Sequence, residues 1–381
     1  MSKKFAVLTP GQFGAANFLK NAHNFNHPDY KGDFKEIVVW MKPGTPCVNE
    51  NDGDLMSFID KHRTLDGIFD IREYPDLAGI KIPDNVSFDD DLERVANHAN
   101  ILEVATPGKF LTPYLPRLAR LEIEQIVNLS KGIVEGDIAK KAFDHAWGDK
   151  PLAYAVLSGP MIAAQIVMGY KMMTEGQDGR EWVASANLAQ NDLSQERYPD
   201  LIQILSHSPL LRLYECSSVE AVEYCGILKQ VYAIFLGMCE GAGYPTNTIA
   251  GVFGSRKREM KRILHQKGYD PEVIHELCGE DDLLLTYLSG RHGNLGRAIG
   301  KHRDVQKGLK TMKGKTLEGM LVIEALIKQY GKRILRPEEM PSTGKIHLPI
   351  LGGMGYLFLN PDAQFDEVEK NLKYALVKRN A

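Results

Sequence analysis

Short apolar runs recur along roughly the first 190 residues, separated by segments with a helical or loop-like pattern. Brief runs of this kind are typical of buried strands, and helical segments between them favour a mostly parallel sheet. Residues 12–21 predict a first helix, and residues 44–85, rich in Pro, Gly, Asn and Asp, predict a long excursion between strands. The N-terminal part is therefore predicted to be an α/β Rossmann-like domain. The predicted strands lie at residues 5–8, 37–40, 100–105, 126–129, 153–157 and 182–185.

The pattern changes after about residue 215, where helical periodicity dominates and almost no strand signal remains. We expect a dinucleotide-binding domain over residues 1–210 and an all-helical domain over residues 211–381, with the boundary near 200–215. A chain of 381 residues is long enough for two domains. The predicted helices lie at residues 218–239, 249–266, 271–277, 319–330 and 365–378.

A turn that could bind phosphate follows the first predicted strand. Gly11 and Gly14 stand at the interval of a dinucleotide-binding turn, whereas Thr9 occupies the place of its first glycine. An ordinary strand–turn–helix connection explains the same residues. No carboxylate follows the second predicted strand, where one would bind the ribose hydroxyls, and Lys42 is either a contact to a 2′-phosphate or a solvated loop lysine. The sequence therefore leaves NAD and NADP both open.

One lysine interrupts a long apolar segment. From Tyr224 to Cys239 the chain is apolar on every helical face, and Lys229 is the only charged residue. Either Lys229 extends its ammonium to the surface, or it is buried, with a lowered pKa suited to proton transfer.

A second polar cluster begins at Asp282. Thr286 lies four residues later, on the same face of a helix, and Gly290 would allow a sharp turn before Arg291. An arginine beside helix N–H groups is suited to phosphate binding. The alternative is an acidic helix cap followed by a solvated arginine.

The composition narrows the class of protein. The 46 basic and 49 acidic residues give a formal net charge of −3, which does not indicate a nucleic-acid or membrane-surface protein. The five cysteines lack the paired spacing of a zinc site and favour a reducing compartment, and the 11 histidines show no metal-ligand spacing. No signal peptide or membrane span is indicated. We expect a cytoplasmic protein without a metal.

Taken together and in this order, several segments resemble the NAD(P)-dependent glycerol-3-phosphate dehydrogenase family. The resemblance runs from Phe5 to about Leu351 and is strongest from Val222 to Arg291. The segments are Asn128 to Gly132, Ser158 to Ala163, Val222 to Ala233, Asn247-Thr248, Asp282 with Thr286 and Gly290-Arg291, and Leu317 to Gly319.

The resemblance implies roles for individual residues. Lys229 matches the proton donor and acceptor, Lys131 the second active-site lysine, and Asp282 the carboxylate near the substrate. The implied substrate-binding residues are Lys131, Gly159, Thr286, Gly290, Arg291 and His292. The implied cofactor-binding residues are Gly11, Gln12, Phe13, Gly14, Phe110, Lys131, Ala163, Arg291 and Glu318.

The implied activity is reversible hydride transfer between NAD or NADP and dihydroxyacetone phosphate, giving sn-glycerol 3-phosphate, by a homodimer. Met161, Gln230 and His292 depart from the family pattern in the expected substrate pocket. A dehydrogenase of the same fold acting on another phosphorylated or carboxylated substrate is thus an alternative. A non-catalytic nucleotide sensor is a further one, although it would not require Lys229 and Arg291.

Overall fold

The computed structural model describes residues 3–8, 11–49, 53–312, 318–331 and 348–360, together with residues 363, 365, 366 and 369. Thr9 and most of the predicted helix 365–378 lie outside these residues.

The strands of the described chain form one eight-stranded sheet in the order β3-β2-β1-β4-β5-β6-β7-β8. All neighbouring strands are parallel except β6 and β7, which are antiparallel. The prediction of a mostly parallel sheet is therefore confirmed. The strands are β1 (Lys3–Leu8), β2 (Phe34–Trp40), β3 (Val86–Asp89), β4 (Ile101–Val104), β5 (Ile126–Asn128), β6 (Tyr154–Ser158), β7 (Ala184–Gln190) and β8 (Leu211–Cys216).

The predicted apolar runs became strands because both faces of the central strands are covered. All residues of β4, β5 and β6 are buried, as are the last four residues of β1. The run at 182–185 overlaps only the start of β7, and the two edge strands, β3 and β8, were not predicted. Edge strands bury fewer residues and give a weaker apolar signal.

Helices cover the sheet and make up nearly all of the chain after β8. The early helices are α1 (Gln12–Asn26), α2 (Leu55–His62), α3 (Leu92–Ala96), α4 (Gly108–Leu111), α5 (Leu115–Leu118), α6 (Ala139–Trp147), α7 (Ala163–Thr174), α8 (Asp192–Arg197) and α9 (Leu201–Leu205). The later helices are α10 (Val219–Gly241), α11 (Thr246–Lys267), α12 (Asp282–Ser289), α13 (Arg291–His302), α14 (Val305–Lys310), α15 (Glu318–Tyr330) and α16 (Pro349–Leu359).

The chain divides into two compact units, and one short segment crosses the division. The first unit comprises Met1–Ser130 and Ala139–Val219, and it contains the whole sheet. The second comprises Lys131–Ile138 and Glu220–Ala381, and its described elements are helices. Lys131 therefore belongs with the helical unit, although the residues on both sides of its segment belong with the sheet.

The long helix α10 is the centre of the second unit. It is the one described helix with the length and apolar composition to cross a membrane, and its most apolar stretch of 18 residues is buried inside the protein. Glycines let α13 approach it closely. An added Cβ at Gly237 would overlap the Gly293 carbonyl oxygen, and one at Gly296 would overlap the Ile234 carbonyl oxygen. Backbone contact thus fixes the separation of the two helices.

The predicted helix at 271–277 is only partly correct. Residues Pro271–His275 form a 3₁₀ helix, and Leu277–Asp281 form a π turn that leads into α12. An added Cβ at Gly279 would overlap the Ile274 carbonyl oxygen, so the glycine permits the close approach inside this wide turn. π turns are frequent at functional sites. Here the turn sets the position of Asp282, the first residue of α12.

Candidate active site

Lys229 is buried in the middle of α10. The residue is 6% exposed, so the alternative of an ammonium extended into solvent is wrong. Its ammonium forms an ion pair with Oδ1 of Asp282. An ammonium removed from water requires such a partner, because its desolvation is otherwise too costly.

Asp282 pairs with two lysines at once. Its second oxygen, Oδ2, lies 2.7 Å from Nζ of Lys131. The carboxylate is 2% exposed, and the side chains of Lys131 and Lys229 are 17% and 8% exposed. Two ammonium groups on one carboxylate form a cluster with one excess positive charge when all three are ionised. Such a cluster favours an additional negative charge beside it.

The environment tunes the proton affinity of Lys229. Burial lowers the pKa of Lys229 to about 7; the Asp282 carboxylate opposes that change, and the Lys131 ammonium adds to it. A group with a pKa near 7 both donates and accepts a proton readily at neutral pH. Lys229 therefore has the protonation chemistry of a general acid and base.

Lys131 is held through its backbone as well as its side chain. Nε2 of Gln230 donates a hydrogen bond of 2.5 Å to the Lys131 carbonyl oxygen. Gln230 directly follows Lys229 on α10, so one helix fixes both lysines. Oε1 of Gln230 is buried and has no hydrogen-bond partner among the described residues. Sequence reasoning noted Gln230 only as a departure from the family; its polarity within an apolar helix was the available signal.

Thr286 and Gly290 support the geometry of α12. The two residues Asp282 and Thr286 lie one turn apart on the same helix, as the spacing predicted, and the Thr286 hydroxyl donates to the Asp282 carbonyl oxygen at 2.6 Å. Gly290 has φ −80° and ψ 158°, which any residue can adopt. The chain turns here from α12 directly into α13, as expected, but not through a backbone conformation reserved for glycine. The glycine is required because an added Cβ would overlap the Thr286 carbonyl oxygen.

Arg291 and His292 begin α13. The exposed Arg291 guanidinium makes no hydrogen bond or ion pair with any residue that the structure describes. His292 is buried, and its Nε2 accepts a hydrogen bond of 3.1 Å from the Gly319 N–H, next to Glu318 at the start of α15. Burial, together with the charges of Arg291 and Lys229, lowers the pKa of His292 to about 3. The imidazole is therefore neutral.

The first unit has the features of a dinucleotide phosphate site at the turn from β1 to α1. Gly11 is the N-cap residue of α1, and no side chain hydrogen-bonds to the N–H groups at this helix end. The first turn, which begins Gln12-Phe13-Gly14, has no acidic residue. An added Cβ at Gly11 would meet no atom within 4 Å, so the space there is open. The positive end of a helix facing open space favours an anion. These residues fit a cofactor pyrophosphate.

Strand order supports the same location. The strand order reverses at β1 and β4: β2 and β3 are added on one side of β1, and β4 and the later strands on the other. Doubly wound folds bind dinucleotides at this point. The Thr106 hydroxyl lies 3.5 Å from the Leu8 carbonyl oxygen and joins the ends of these two strands. Phe110 follows on α4 and is 51% exposed, which is unusual for a large aromatic ring. Sequence reasoning gave Thr106 no role of its own, although it stands two residues after the buried strand β4.

Gly159 and Ala163 lie beyond the end of β6. Ala163 is the first residue of α7. An added Cβ at Gly159 would overlap the backbone of Ala186 on β7, so close packing of neighbouring strands is sufficient to require this glycine.

Comparison with known proteins places this architecture. The family described as NAD-dependent glycerol-3-phosphate dehydrogenase N-terminus matches residues 4–175, and its C-terminus counterpart matches residues 218–352. The glycerol-3-phosphate dehydrogenase (NAD(P)+) of Chlorobium phaeobacteroides is 29% identical over 279 residues, which are 71% of this chain and 78% of that protein.

Two solved structures share the fold. The glycerol-3-phosphate dehydrogenase of Plasmodium falciparum superposes with a TM-score of 0.77 at 18% identity, covering 100% of this chain and 97% of that one. The glycerol-3-phosphate dehydrogenase of Coxiella burnetii gives a TM-score of 0.75 at 19% identity, covering 99% of both chains. Since both family regions match in order and together span most of the sequence, this chain belongs to the NAD-dependent glycerol-3-phosphate dehydrogenase family.

Proposed function

We propose that this protein is an oxidoreductase that interconverts dihydroxyacetone phosphate and sn-glycerol 3-phosphate with NAD or NADP. The observation that carries the proposal is the buried cluster in which Lys229 and Lys131 share the two oxygens of Asp282. Reduction of a ketone needs a proton donor for the developing alkoxide and positive charge beside it.

In this mechanism Lys229 supplies the proton and Asp282 holds its ammonium in place. With a pKa near 7, Lys229 is protonated in a large fraction of molecules at neutral pH and gives its proton to the carbonyl oxygen. In the oxidation of glycerol 3-phosphate the neutral amine takes the proton back. Lys131 polarises the same oxygen and stabilises its negative charge.

The substrate phosphate is bound at the start of α13. The Arg291 guanidinium offers a fork of N–H donors, and the N–H groups after Gly290 lie at the positive end of the helix. His292 is neutral and contributes a hydrogen-bond donor rather than a charge, because its Nε2 already accepts from Gly319. Thr286 is the remaining residue of α12 and α13 proposed to bind the substrate.

The nucleotide is bound by the first unit, at the turn of Gly11, Gln12, Phe13 and Gly14. By resemblance to the family, Phe110 and Ala163 of this unit would also hold the cofactor, as would Lys131, Arg291 and Glu318 of the second unit. When bound, NADH or NADPH supplies the hydride. The protein residues then provide only orientation, electrostatic stabilisation and the proton.

A substitution at Lys229 tests the role of the cluster. Lys229→Ala is expected to lower kcat for dihydroxyacetone phosphate by about 10² to 10⁴-fold, the usual contribution of a general acid, with cofactor binding retained. Lys140→Ala is the matched control, because Lys140 is also buried and paired with an aspartate, Asp144, but lies in the sheet-containing unit. A near-normal kcat for Lys229→Ala would refute the role of the lysine.

A second candidate substrate follows from the departures at Met161, Gln230 and His292. These residues favour a related phosphorylated or carboxylated ketone if their larger side chains reduce the space for dihydroxyacetone phosphate. Oxidation of NADH and NADPH with a panel of phosphorylated and carboxylated ketones separates the two candidates by kcat/KM.

We further propose that the enzyme is a cytoplasmic homodimer that does not bind nucleic acid. The absence of disulfides among its five cysteines supports a reducing compartment. Leu284 and Leu288, one turn apart on α12, are 44% and 56% exposed, which supports a subunit contact. Light scattering during gel filtration distinguishes a mass near 85 kDa from the 42.6 kDa of one chain.

A further inference from the structure

We propose that Tyr224 is a positioning residue for Lys131: its hydroxyl fixes Asp137 and thereby holds the segment Lys131–Ile138 so that Lys131 reaches Asp282. The inference rests on the proposed function, in which Lys131 stabilises charge on the substrate oxygen. The Tyr224 hydroxyl donates to Asp137, which is not one of the groups proposed to react, and Tyr224 acts through the shape of this segment.

The far end of the segment is a tight turn. Val134 N donates to the Asp137 carbonyl oxygen at 2.9 Å, and Asp137 N donates back to the Val134 carbonyl oxygen at 3.1 Å. The two residues between them, Glu135 and Gly136, have φ of 51° and 88°. Positive φ at both positions is the pattern of a two-residue hairpin turn. The turn therefore presents Asp137 from a defined backbone.

Asp137 is the anchor of this turn. Its Oδ1 accepts 2.5 Å and 2.8 Å hydrogen bonds from the Tyr224 hydroxyl and the Ile138 N–H, respectively. Its Oδ2 lies 3.9 Å from Nζ of Lys267 on α11. The carboxylate thus connects the segment with α10 and α11.

Tyr224 is rigid and remains a hydrogen-bond donor. The residue is 1% exposed, and its ring lies 5.6 Å from the ring of Tyr269 and 5.1 Å from Nζ of Lys267. Burial and the adjacent Asp137 carboxylate raise the pKa of Tyr224, so its hydroxyl keeps its proton throughout the working pH range.

The two ends of the segment are fixed by the same helix. Gln230 holds the Lys131 carbonyl at one end, and Tyr224 holds Asp137 at the other. Tyr224 and Gln230 are six residues apart on α10, or about 9 Å along its axis. A lysine side chain has many rotamers, so a fixed backbone at both ends increases the fraction that pairs with Asp282.

The test is a double-mutant cycle in the full chain. Tyr224→Phe removes only the hydroxyl, and we expect it to lower kcat for dihydroxyacetone phosphate about ten-fold while leaving the cofactor Kd unchanged. In a Lys131→Ala background the same substitution should change kcat by less than about two-fold, because the residue on which Tyr224 acts is gone. Additive losses in the two backgrounds would overturn the proposal.

A matched control uses the same helix. Tyr232→Phe also removes a buried hydroxyl that donates to a carboxylate, in this case Glu259 at 3.2 Å. It should lower stability without changing kcat.

The pH profile adds a readout that a purely structural role would not move. Asp282 and Lys131 are the charged groups that act on Lys229, and His292 near it is neutral. Because the Lys131 ammonium lowers the pKa of Lys229, displacement of Lys131 should raise the pH at which kcat for ketone reduction falls. No change in that pH in Tyr224→Phe would contradict the proposal.

Hydrogen exchange separates this proposal from the proposed function. Amide exchange within residues 131–138 should accelerate in Tyr224→Phe and remain as in the wild type in Tyr232→Phe. This comparison needs no turnover. If the wild type failed to reduce dihydroxyacetone phosphate, the proposed function would fall, whereas unchanged exchange in Tyr224→Phe would overturn the positioning role by itself.

Discussion

The substitution Asp282→Asn gives the most direct test of the lysine cluster. It keeps the shape of the side chain and removes the single negative charge that Lys229 and Lys131 share. Because the aspartate is 2% exposed and the two lysine side chains are 8% and 17% exposed, water can replace little of the lost interaction. Removing one partner from a buried ion pair typically costs about 3–5 kcal/mol of stability.

Part of this cost is relieved if Lys229 loses its proton. The Asp282 carboxylate raises the pKa of Lys229 against the effect of burial, so its removal moves that pKa below about 7. Each further unit below the working pH lowers the protonated fraction about ten-fold. We therefore expect kcat for ketone reduction at pH 7.5 to fall by about 10² to 10⁴-fold.

The assay compares kcat for reduction between pH 5.5 and 9 in the wild type and the variant. The wild-type rate should fall as pH rises through about 7, since reduction needs the protonated lysine, and the limb should move to lower pH in Asp282→Asn. Asp281→Asn is the control, because its exposed carboxylate precedes Asp282 and pairs with neither lysine. A kcat for Asp282→Asn within about three-fold of the wild-type value, with no change in the pH at which the rate falls, would refute the reasoning.

Three further predictions concern the phosphate, the cofactor and pH-dependent stability. Arg291→Lys should raise KM for the phosphorylated substrate far more than for an unphosphorylated analogue, because an ammonium lacks the bidentate fork; equal increases in KM would remove the phosphate from the role of Arg291. The values of kcat/KM for NADH and NADPH should differ by no more than about 100-fold, or about 2.7 kcal/mol. Lys42 after β2 does not repel the 2′-phosphate of NADPH, and Asp89 at the end of β3 is already paired with Arg94 at 2.8 Å. A difference above about 1,000-fold would contradict this expectation. Burial raises the pKa of Glu259 from 4.5 to about 7, so the folded state binds this proton more tightly than the unfolded state. Up to about 3 kcal/mol of stability that is present below pH 4.5 is therefore lost as pH rises through 7. Urea unfolding at pH 5 and pH 8 should show a smaller difference between the two pH values in Glu259→Gln than in the wild type, and an equal difference would contradict the assignment.

The fold class was predictable because the central strands are buried on both faces. Such strands appear in the sequence as uninterrupted apolar runs, and the first four predicted runs match β1, β2, β4 and β5 closely. The edge strands β3 and β8 gave no comparable run. The antiparallel pairing of β6 with β7 was not predictable either, since a run of apolar residues carries no information about strand direction.

The burial of Lys229 was predictable from its apolar neighbours, but its partners were not. Asp282 is distant in the sequence, and Lys131 lies on a segment whose neighbours in the chain belong with the sheet. No local period connects these three residues, and only resemblance to a family brought them together in advance. Gln230 and Tyr224 were overlooked as partners of the segment because their contacts depend on its tertiary path.

The glycine contact between α10 and α13 has a consequence for how this protein tolerates mutation. At an ordinary helix interface, a larger residue on one side can be accommodated by a smaller one opposite. Here the opposing atoms are backbone oxygens, the Gly293 carbonyl against Gly237 and the Ile234 carbonyl against Gly296, and no substitution can make a carbonyl smaller. A side chain introduced at either glycine therefore has no second-site suppressor across the interface. Selections for activity should recover reversion to glycine at these positions, not compensating pairs.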